Sequence, residues 1–207
     1  MTPQGLAARI AALSRTSEIG VWQRHVAARD AARALDGHLG NGRWGTTRGF
    51  PVLYLGCPAE SVIIEAYRHH VDPLMFDTDE DRAAFIASVG PRVVVTCTVD
   101  VTNLLDLRTI SGRAATGLTL QDLQSLPNDP EAYGRCRTVS QIARQLGWHG
   151  VIAPAATRVG ETVALFTDRL PAAERPVRSA DDLPWTRLPA DPREAPPRNL
   201  RIVRGDR

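Results

Sequence analysis

Three residues of contrasting chemistry recur at equal spacing between residues 42 and 70. Arg43, Tyr54 and Glu65 are each eleven positions from the next. A guanidinium binds phosphate oxygens through paired hydrogen bonds, an aromatic ring packs against a heterocycle, and a carboxylate stabilises positive charge that develops on a sugar. Together they suit a phosphate-bearing ligand that carries a cationic aromatic leaving group. Nicotinamide adenine dinucleotide (NAD) is such a ligand.

The local sequence places these residues on a turn, a strand and a helix. The segment from 37 to 49 is rich in glycine, which predicts irregular structure. PVLYLG at 51–56 is a short apolar run bounded by proline and glycine, which predicts a buried strand. Pro58 suits the first turn of the helix that follows, where Glu65 lies on the polar face opposite an apolar arc. The three side chains could therefore converge on one cleft.

The rest of the chain mixes helices and strands without a regular strand–helix–strand repeat. Helical spacing of apolar residues predicts helices, and alternating or continuous short apolar runs predict strands. In chain order the predicted elements are a helix at 5–16, a strand at 20–27, a helix at 79–88, a strand at 91–101, a helix at 130–146, and strands at 150–155 and 162–168. This arrangement predicts a mixed α+β fold in preference to a doubly wound parallel sheet.

Bulk composition narrows the class of protein. A chain of 207 residues with 43% hydrophobic content can bury one substantial core. Its 25 basic and 23 acidic residues nearly balance, which argues against binding to nucleic acid or to a membrane surface. Cys57, Cys97 and Cys136 lack the spacing of a disulfide framework or a thiolate metal site. With no apolar leader in residues 1–30 and no run of 18 apolar residues, we expect a cytoplasmic protein.

The composition changes near residue 171. From there the chain is rich in proline, arginine and aspartate and poor in apolar residues. We therefore predict a domain over 1–170 and an extended or partly disordered tail over 171–207. Trp185 and the LRIV sequence at 200–203 are the parts of this tail that could dock on the domain.

Four sequence segments, in this order, resemble a known family. GRW, PVLYL, the helix with Glu65, and GVIAPAA followed by VGETVALF are similar to the RES domain, the toxin half of RES–Xre toxin–antitoxin pairs. The resemblance runs from about Trp22 to Leu170 and is strongest to members that degrade NAD, with further similarity in VDVTNLLDL at 99–107. It departs from the family at Pro154–Ala155, where many members have a serine after the proline, and in the RWGTT turn.

The resemblance implies a fold, a substrate and a partner. The family has an ADP-ribosyltransferase-like fold, and its catalytic arginine, tyrosine and glutamate correspond to Arg43, Tyr54 and Glu65. Arg24 resembles the family's upstream arginine, so Arg24, Arg43, Trp44 and Tyr54 are the expected NAD-binding residues. The resemblance further implies NAD as the substrate without any metal, an Xre-type antitoxin as the partner, and inorganic phosphate or water as an acceptor.

The chemistry of NAD cleavage fits a single carboxylate. Breaking the bond between nicotinamide and ribose gives the sugar oxocarbenium character, which a carboxylate beneath it stabilises. Because nicotinamide leaves as a neutral molecule from a cationic pyridinium, no general acid is needed. We assign the carboxylate role to Glu65, the grip on the pyrophosphate to Arg43 and Arg24, and packing against nicotinamide or ribose to Tyr54.

Each of these residues also has a purely structural interpretation. Glu65 could be a solvated residue on a helix surface, Tyr54 a core tyrosine, and Arg43 a cation stacked on Trp44. Glu65 and His69 share a helix face, but without a further ligand at suitable spacing they do not predict a metal site.

Two alternative functions remain open at this point. The same fold could transfer ADP-ribose to a protein side chain. A non-catalytic NAD-binding module is the other possibility, and Ala155 and the RWGTT turn motivate it.

Overall fold

A computed structural model describes residues 2–194 of the chain. It has six α-helices, seven β-strands and three short 3-10 helices within that range. The helices are α1 (Pro3–Ala11), α2 (Ala59–His70), α3 (Asp79–Ser88), α4 (Ile110–Thr116), α5 (Leu120–Gln124) and α6 (Pro130–Gln145). The strands are β1 (Thr16–Ala27), β2 (Val52–Cys57), β3 (Arg92–Asp106), β4 (Gly150–Pro154), β5 (Glu161–Phe166), β6 (Val177–Arg178) and β7 (Leu183–Trp185). The 3-10 helices are Ala28–Arg33, Ala172–Glu174 and Pro192–Glu194.

One mixed sheet organises these elements. Its strands follow the order β1-β2-β5-β4-β3-β6, and β7 adds to β3. The long strand β3 also pairs with β1 along most of its length, while β1 meets β2 at a single pair, Gln23 and Gly56. The path from β1 through β2, β5, β4 and β3 thus returns to β1. Since β3 and β4 are parallel and the other pairs antiparallel, the predicted mixed α+β fold is confirmed.

Alternation along the central strands divides the core into two layers. In β5, Val163 and Leu165 point to one side, and Ala164 and Phe166 point to the other, as expected for a period of two. The first side packs with Trp22 of β1 and with Val99 and Val101 of β3. The second side is covered by α1, α5 and α6. Tyr54 and its neighbour Val52 belong to this second, helix-covered side.

The predicted elements near the site are confirmed, with boundaries that shift by a few residues. The helix after PVLYLG begins at Ala59, one residue after Pro58. The 130–146 helix is α6, and Gly147 follows it with a φ of 81°, the left-handed conformation that glycine accepts most easily. Strand β3 runs to Asp106, five residues beyond its predicted end, and includes Asn103 with a φ of 57°.

Two short helices were not predicted. Helices α4 and α5 have seven and five residues, too few to show a clear apolar period. Their N-caps were readable in retrospect: Thr109 and Thr119 each accept a hydrogen bond from a backbone N–H in the first turn. Within residues 2–194, no helix has both the length and the apolar character needed to cross a bilayer.

The chain beyond residue 170 contributes to the sheet. Strands β6 and β7 both pair with β3, and Trp185 is buried against the body as its aromatic type suggested. The Trp185 ring stacks on His25 of β1 with a centroid distance of 6.0 Å and an interplanar angle of 18°. The boundary predicted at residue 170 therefore does not mark the end of the sheet. The LRIV sequence at 200–203 lies outside the described residues.

Gly160 shapes the turn between β4 and β5, next to the site, and Gly134 in α6 serves as its control. Gly160, between β4 and β5, has a φ of 67°, and a Cβ there would lie 2.0 Å from the Cys57 carbonyl oxygen. We expect Gly160→Ala to lower the free energy of unfolding by about 2–4 kcal/mol, from backbone strain and overlap. Gly134→Ala, in the exposed part of α6 with no atom near the new Cβ, should raise it by about 0.5–1 kcal/mol. Urea denaturation of both variants measures this, and equal losses would contradict the assignment.

Candidate functional site

A cavity of about 440 Å³ lies where β1 and β2 meet α2. Its wall comes from β1, the glycine-rich turn, β2, α2, α5 and the segment after it, α6, and strands β4 and β5 with the turn between them. This volume is within the range of small-molecule sites in proteins. All five residues predicted for NAD binding or catalysis line it: Arg24, Arg43, Trp44, Tyr54 and Glu65. The structure therefore brings together residues spread over 42 positions of sequence.

Glu65 reaches the cavity from the polar face of α2, with its side chain 40% exposed. His69, one turn later, places Nε2 2.9 Å from Glu65 Oε1, and Arg68 Nε is 3.6 Å from Oε2. Burial alone would raise the pKa of Glu65, but the His69 hydrogen bond and the charges of His69, Arg68 and Arg43 outweigh it and the pKa falls below its ordinary value. The same hydrogen bond raises the pKa of His69 despite partial burial. The carboxylate is thus held ionised.

Arg43 is buried, and its guanidinium binds α5 and Ser125, the residue that follows it. It donates to the carbonyl oxygen of Asp122, to Ser125 Oγ at 3.0 Å and to the Ser125 carbonyl oxygen at 2.8 Å. Its Cζ lies 4.5 Å from the centroid of the Tyr133 ring. The guanidinium therefore stacks on Tyr133, whereas the structural interpretation of the sequence had Trp44 as its partner. With these donors bound to the protein, Arg43 supplies positive charge to the cavity and fixes its wall. Its grip on a pyrophosphate stays a prediction.

Tyr54 and Trp44 are linked by a hydrogen bond. The Trp44 backbone N–H donates to the Tyr54 hydroxyl oxygen at 2.9 Å, so the strand tyrosine positions the turn that carries Arg43. Gly42 is needed here, because a Cβ at this position would lie 2.3 Å from that hydroxyl. Burial is the main cause of a pKa for Tyr54 well above the ordinary value, so the phenol stays protonated. Trp44 lines the cavity but is only 2% exposed and packs in the helix-side core.

Arg24 lies on β1, opposite Val95 of β3, and also lines the cavity. Its guanidinium donates to the carbonyl oxygens of Ala34 and Asp36 at 2.8 and 3.4 Å, and lies 3.2 Å from His38 Nδ1. These contacts hold the segment before the glycine-rich turn against β1. Arg24 is therefore placed at the site as predicted, and its contact with a phosphate stays a prediction.

Sequence reasoning missed several cavity residues. Arg68 and Ser61 share the polar face of α2 with Glu65, yet both are buried because this face forms part of the cavity wall. Ser61 Oγ lies 2.8 Å from Thr157 Oγ1, a pair that joins α2 to the turn after β4. Tyr133 comes from α6, far away in sequence. The usable signal was the helical spacing of Ser61, Glu65 and Arg68, which puts them on one face.

Ala155 and Gly45, which stand where the family commonly has other residues, lie outside the cavity lining, although their neighbours Pro154 and Trp44 belong to it. Ala155 is 1% exposed, and its backbone N–H donates to the Gly160 carbonyl oxygen at 3.0 Å. Gly45 of the RWGTT turn packs on Val52, where a Cβ would meet the Val52 side chain at 3.1 Å. Neither residue is part of the cavity wall. The observation that motivated a non-catalytic binding module is thus weakened.

Comparison with known proteins identifies the family. The sequence profile of the RES domain matches residues 20–187. The chain belongs to the RES family. This match starts near the predicted limit at Trp22 and extends past Leu170 through β7. It thus includes the strands that follow the proposed domain boundary.

Sequence relatives of this RES protein include NAD(+) phosphorylase MbcT from Mycobacterium tuberculosis and from Mycobacterium bovis. Each is 29% identical over 188 residues, which cover 87% of this chain and 91% of the relative. In the crystal structure of the M. tuberculosis MbcT–MbcA toxin–antitoxin complex, a chain matches this fold with a TM-score of 0.69 at 23% identity. The match covers 88% of this chain and 93% of that chain, so the two share a fold.

No group of three or more metal-ligating side chains is found in the part of the RES chain that the structure describes. Glu65 and His69 form an ion pair with each other. Cys57, Cys97 and Cys136 are free thiols.

The Glu65–His69 pair predicts a pH-dependent contribution to stability. Its effect requires ionised Glu65 and protonated His69. Because the folded pKa of His69 is raised, its contribution is fully present below the unfolded value of about 6.5 and is lost as pH rises through the folded value. The lowered pKa of Glu65 means that its contribution is lost only as pH falls through that folded value. The pair therefore stabilises most at mildly acidic pH.

We expect His69→Gln to cost more unfolding free energy at pH 5.5 than at pH 9, by less than about 1 kcal/mol because both side chains are partly exposed. His70→Gln is the matched control. Burial and the Arg92 charge lower the pKa of His70, so its removal should favour folding at acidic pH. Urea denaturation at both pH values measures the two trends, and identical trends would refute the ion-pair assignment.

Proposed function

We propose that this RES-family protein is the toxin of a toxin–antitoxin system and degrades NAD by cleaving the nicotinamide–ribose bond, with inorganic phosphate as the acceptor. Family membership and 29% identity to proteins named NAD(+) phosphorylase over 87% of the chain support this activity. The shared fold with a chain of a toxin–antitoxin complex supports the biological role.

The observation that carries the proposal is the ionised Glu65 carboxylate in the cavity wall. Oxocarbenium character on the ribose calls for a fixed negative charge, and Glu65 has one because His69 and Arg68 favour its ionised form. The leaving nicotinamide takes the electron pair of the breaking C–N bond and becomes neutral. The site therefore needs no acid, and none of the described cavity residues besides Glu65 carries a carboxyl group.

The charge of the cavity suits the rest of the dinucleotide. Arg24, Arg43 and Arg68 line the same space as Glu65, which leaves an excess of positive charge for a pyrophosphate. Tyr54, kept protonated, offers a ring and a hydroxyl to nicotinamide or ribose. In this scheme Glu65, Tyr54 and Arg43 act in catalysis, and Arg24, Arg43, Trp44 and Tyr54 bind NAD.

The proposal extends to fold class, partner and location. We assign the chain to the ADP-ribosyltransferase-like class, because a curved mixed sheet brings an arginine, a tyrosine and a glutamate to one cavity. A separate antitoxin of the Xre type would hold the toxin inactive, as the RES–Xre pairing implies. Three free thiols suit a reducing cytoplasm, where NAD is available.

Product analysis tests the reaction. Purified protein is incubated with NAD in buffers with and without inorganic phosphate, and nicotinamide release is followed by chromatography. We expect release that depends on phosphate, with ADP-ribose 1″-phosphate detected by ³¹P NMR. ADP-ribose alone would indicate hydrolysis, and a mass gain on added protein would indicate transfer to a side chain. Absence of nicotinamide release in both buffers would overturn the proposed activity.

Glu65→Gln isolates the role of the carboxylate. The amide keeps the shape of the side chain but removes the charge, so kcat should fall at least about 100-fold while circular dichroism and the urea midpoint change little. Glu60→Gln is the matched control, because Glu60 lies in the first turn of the same helix and is exposed. Steady-state nicotinamide release measures both variants. Activity of Glu65→Gln within a few-fold of the wild type would rule out this mechanism.

A further inference from the structure

Arg68 is a buried guanidinium with few partners. Its side chain is 10% exposed and lines the cavity. Nη2 donates to the Ser125 carbonyl oxygen at 3.2 Å, and Nε is buried with no hydrogen-bonding partner among residues 2–194. An arginine has five N–H groups, and leaving such donors unpaired in a buried position costs free energy. A buried polar group without a partner calls for an explanation, and a bound ion is one such explanation.

The other two cavity arginines are satisfied by the protein. Arg43 makes three hydrogen bonds to Asp122 and Ser125, and Arg24 contacts two carbonyl oxygens and His38. The Ser125 carbonyl already receives a shorter bond from Arg43, at 2.8 Å, than from Arg68. Holding the segment after α5 therefore does not account for Arg68.

The position of Arg68 points to an anion beside the reaction centre. Its Nε lies 3.6 Å from Glu65 Oε2, beyond the length of a hydrogen bond, so the two groups attract each other without sharing a proton. Without Arg68, the negative charge of Glu65 would repel an approaching anion. The Arg68 guanidinium offsets this repulsion and offers a planar fork of donors to phosphate oxygens.

We propose that Arg68 binds the acceptor phosphate next to Glu65, which makes it a specificity-determining residue for phosphate over water. This inference rests on the proposed phosphorolysis of NAD. One phosphate oxygen forms a bond to the anomeric carbon of the ribose as the C–N bond to nicotinamide breaks. The electron pair of that bond neutralises the pyridinium nitrogen, so nicotinamide leaves without a proton, and ADP-ribose 1″-phosphate is the second product.

Kinetics with two varied substrates test this role. Arg68→Lys keeps the positive charge near Glu65 but loses the planar fork. We expect the KM for phosphate to rise about 10-fold and the KM for NAD to change less than about twofold. The fraction of ADP-ribose among the products should increase, because water competes better when phosphate binds weakly. Arg82→Lys, in α3 and paired with Glu194 away from the cavity, is the control and should behave as wild type.

Binding without turnover separates this inference from the proposed activity. Titration of inorganic phosphate against the wild type and Arg68→Met, followed by ³¹P NMR line width, should show binding to the wild type alone. Equal increases in both KM values, or an unchanged phosphate KM, would refute the role of Arg68. If the wild type fails to release nicotinamide but binds phosphate through Arg68, the anion site stands and the proposed activity fails.

Discussion

The site depends on keeping one carboxylate ionised in a partly buried place. Removing Glu65 from water favours its neutral form, and only the neighbouring His69, Arg68 and Arg43 reverse that preference. Two of these cations lie within one turn on the same helix, so α2 must be fixed in rotation about its axis. Apolar residues on the other faces of α2, including Ala66 and Tyr67, pack against the body and provide that constraint. Core packing of a helix thus sets the charge state of a site.

The sheet supplies the second half of the geometry. β1 and β2 share a single pair, Gln23 and Gly56, whereas each pairs extensively with another strand. Residues of both strands around this pair line the cavity. The cavity therefore lies where neighbouring strands of the sheet share the fewest residue pairs. Tyr54 then ties β2 to the irregular turn through the Trp44 backbone. This hydrogen bond joins the irregular turn to the strand.

Local signals predicted the parts of this arrangement that depend on neighbouring residues. Strand β2, helix α2 and the polar position of Glu65 follow from periodicity and from Pro58, and the order of the motifs indicated the RES family. The hydrogen-bond partners of Arg43 and Arg68 lie far away in the sequence and could not be predicted from it. Nothing local shows that Arg43 would bond to Ser125. The pairing of β6 and β7 with β3 was missed for the same reason, because tertiary contacts decide it. Helices α4 and α5 were missed because they are too short to show an apolar period.

The stacking of Trp185 on His25 joins the far end of the sheet to the cavity wall. His25 lines the cavity, accepts a hydrogen bond from Arg92 Nε at 2.9 Å, and has a pKa well below its ordinary value, chiefly through burial. The indole covers this imidazole, so β7 supports a cavity residue of β1 from behind. A shortened chain that stops before β7 would lose this support for His25 along with a strand.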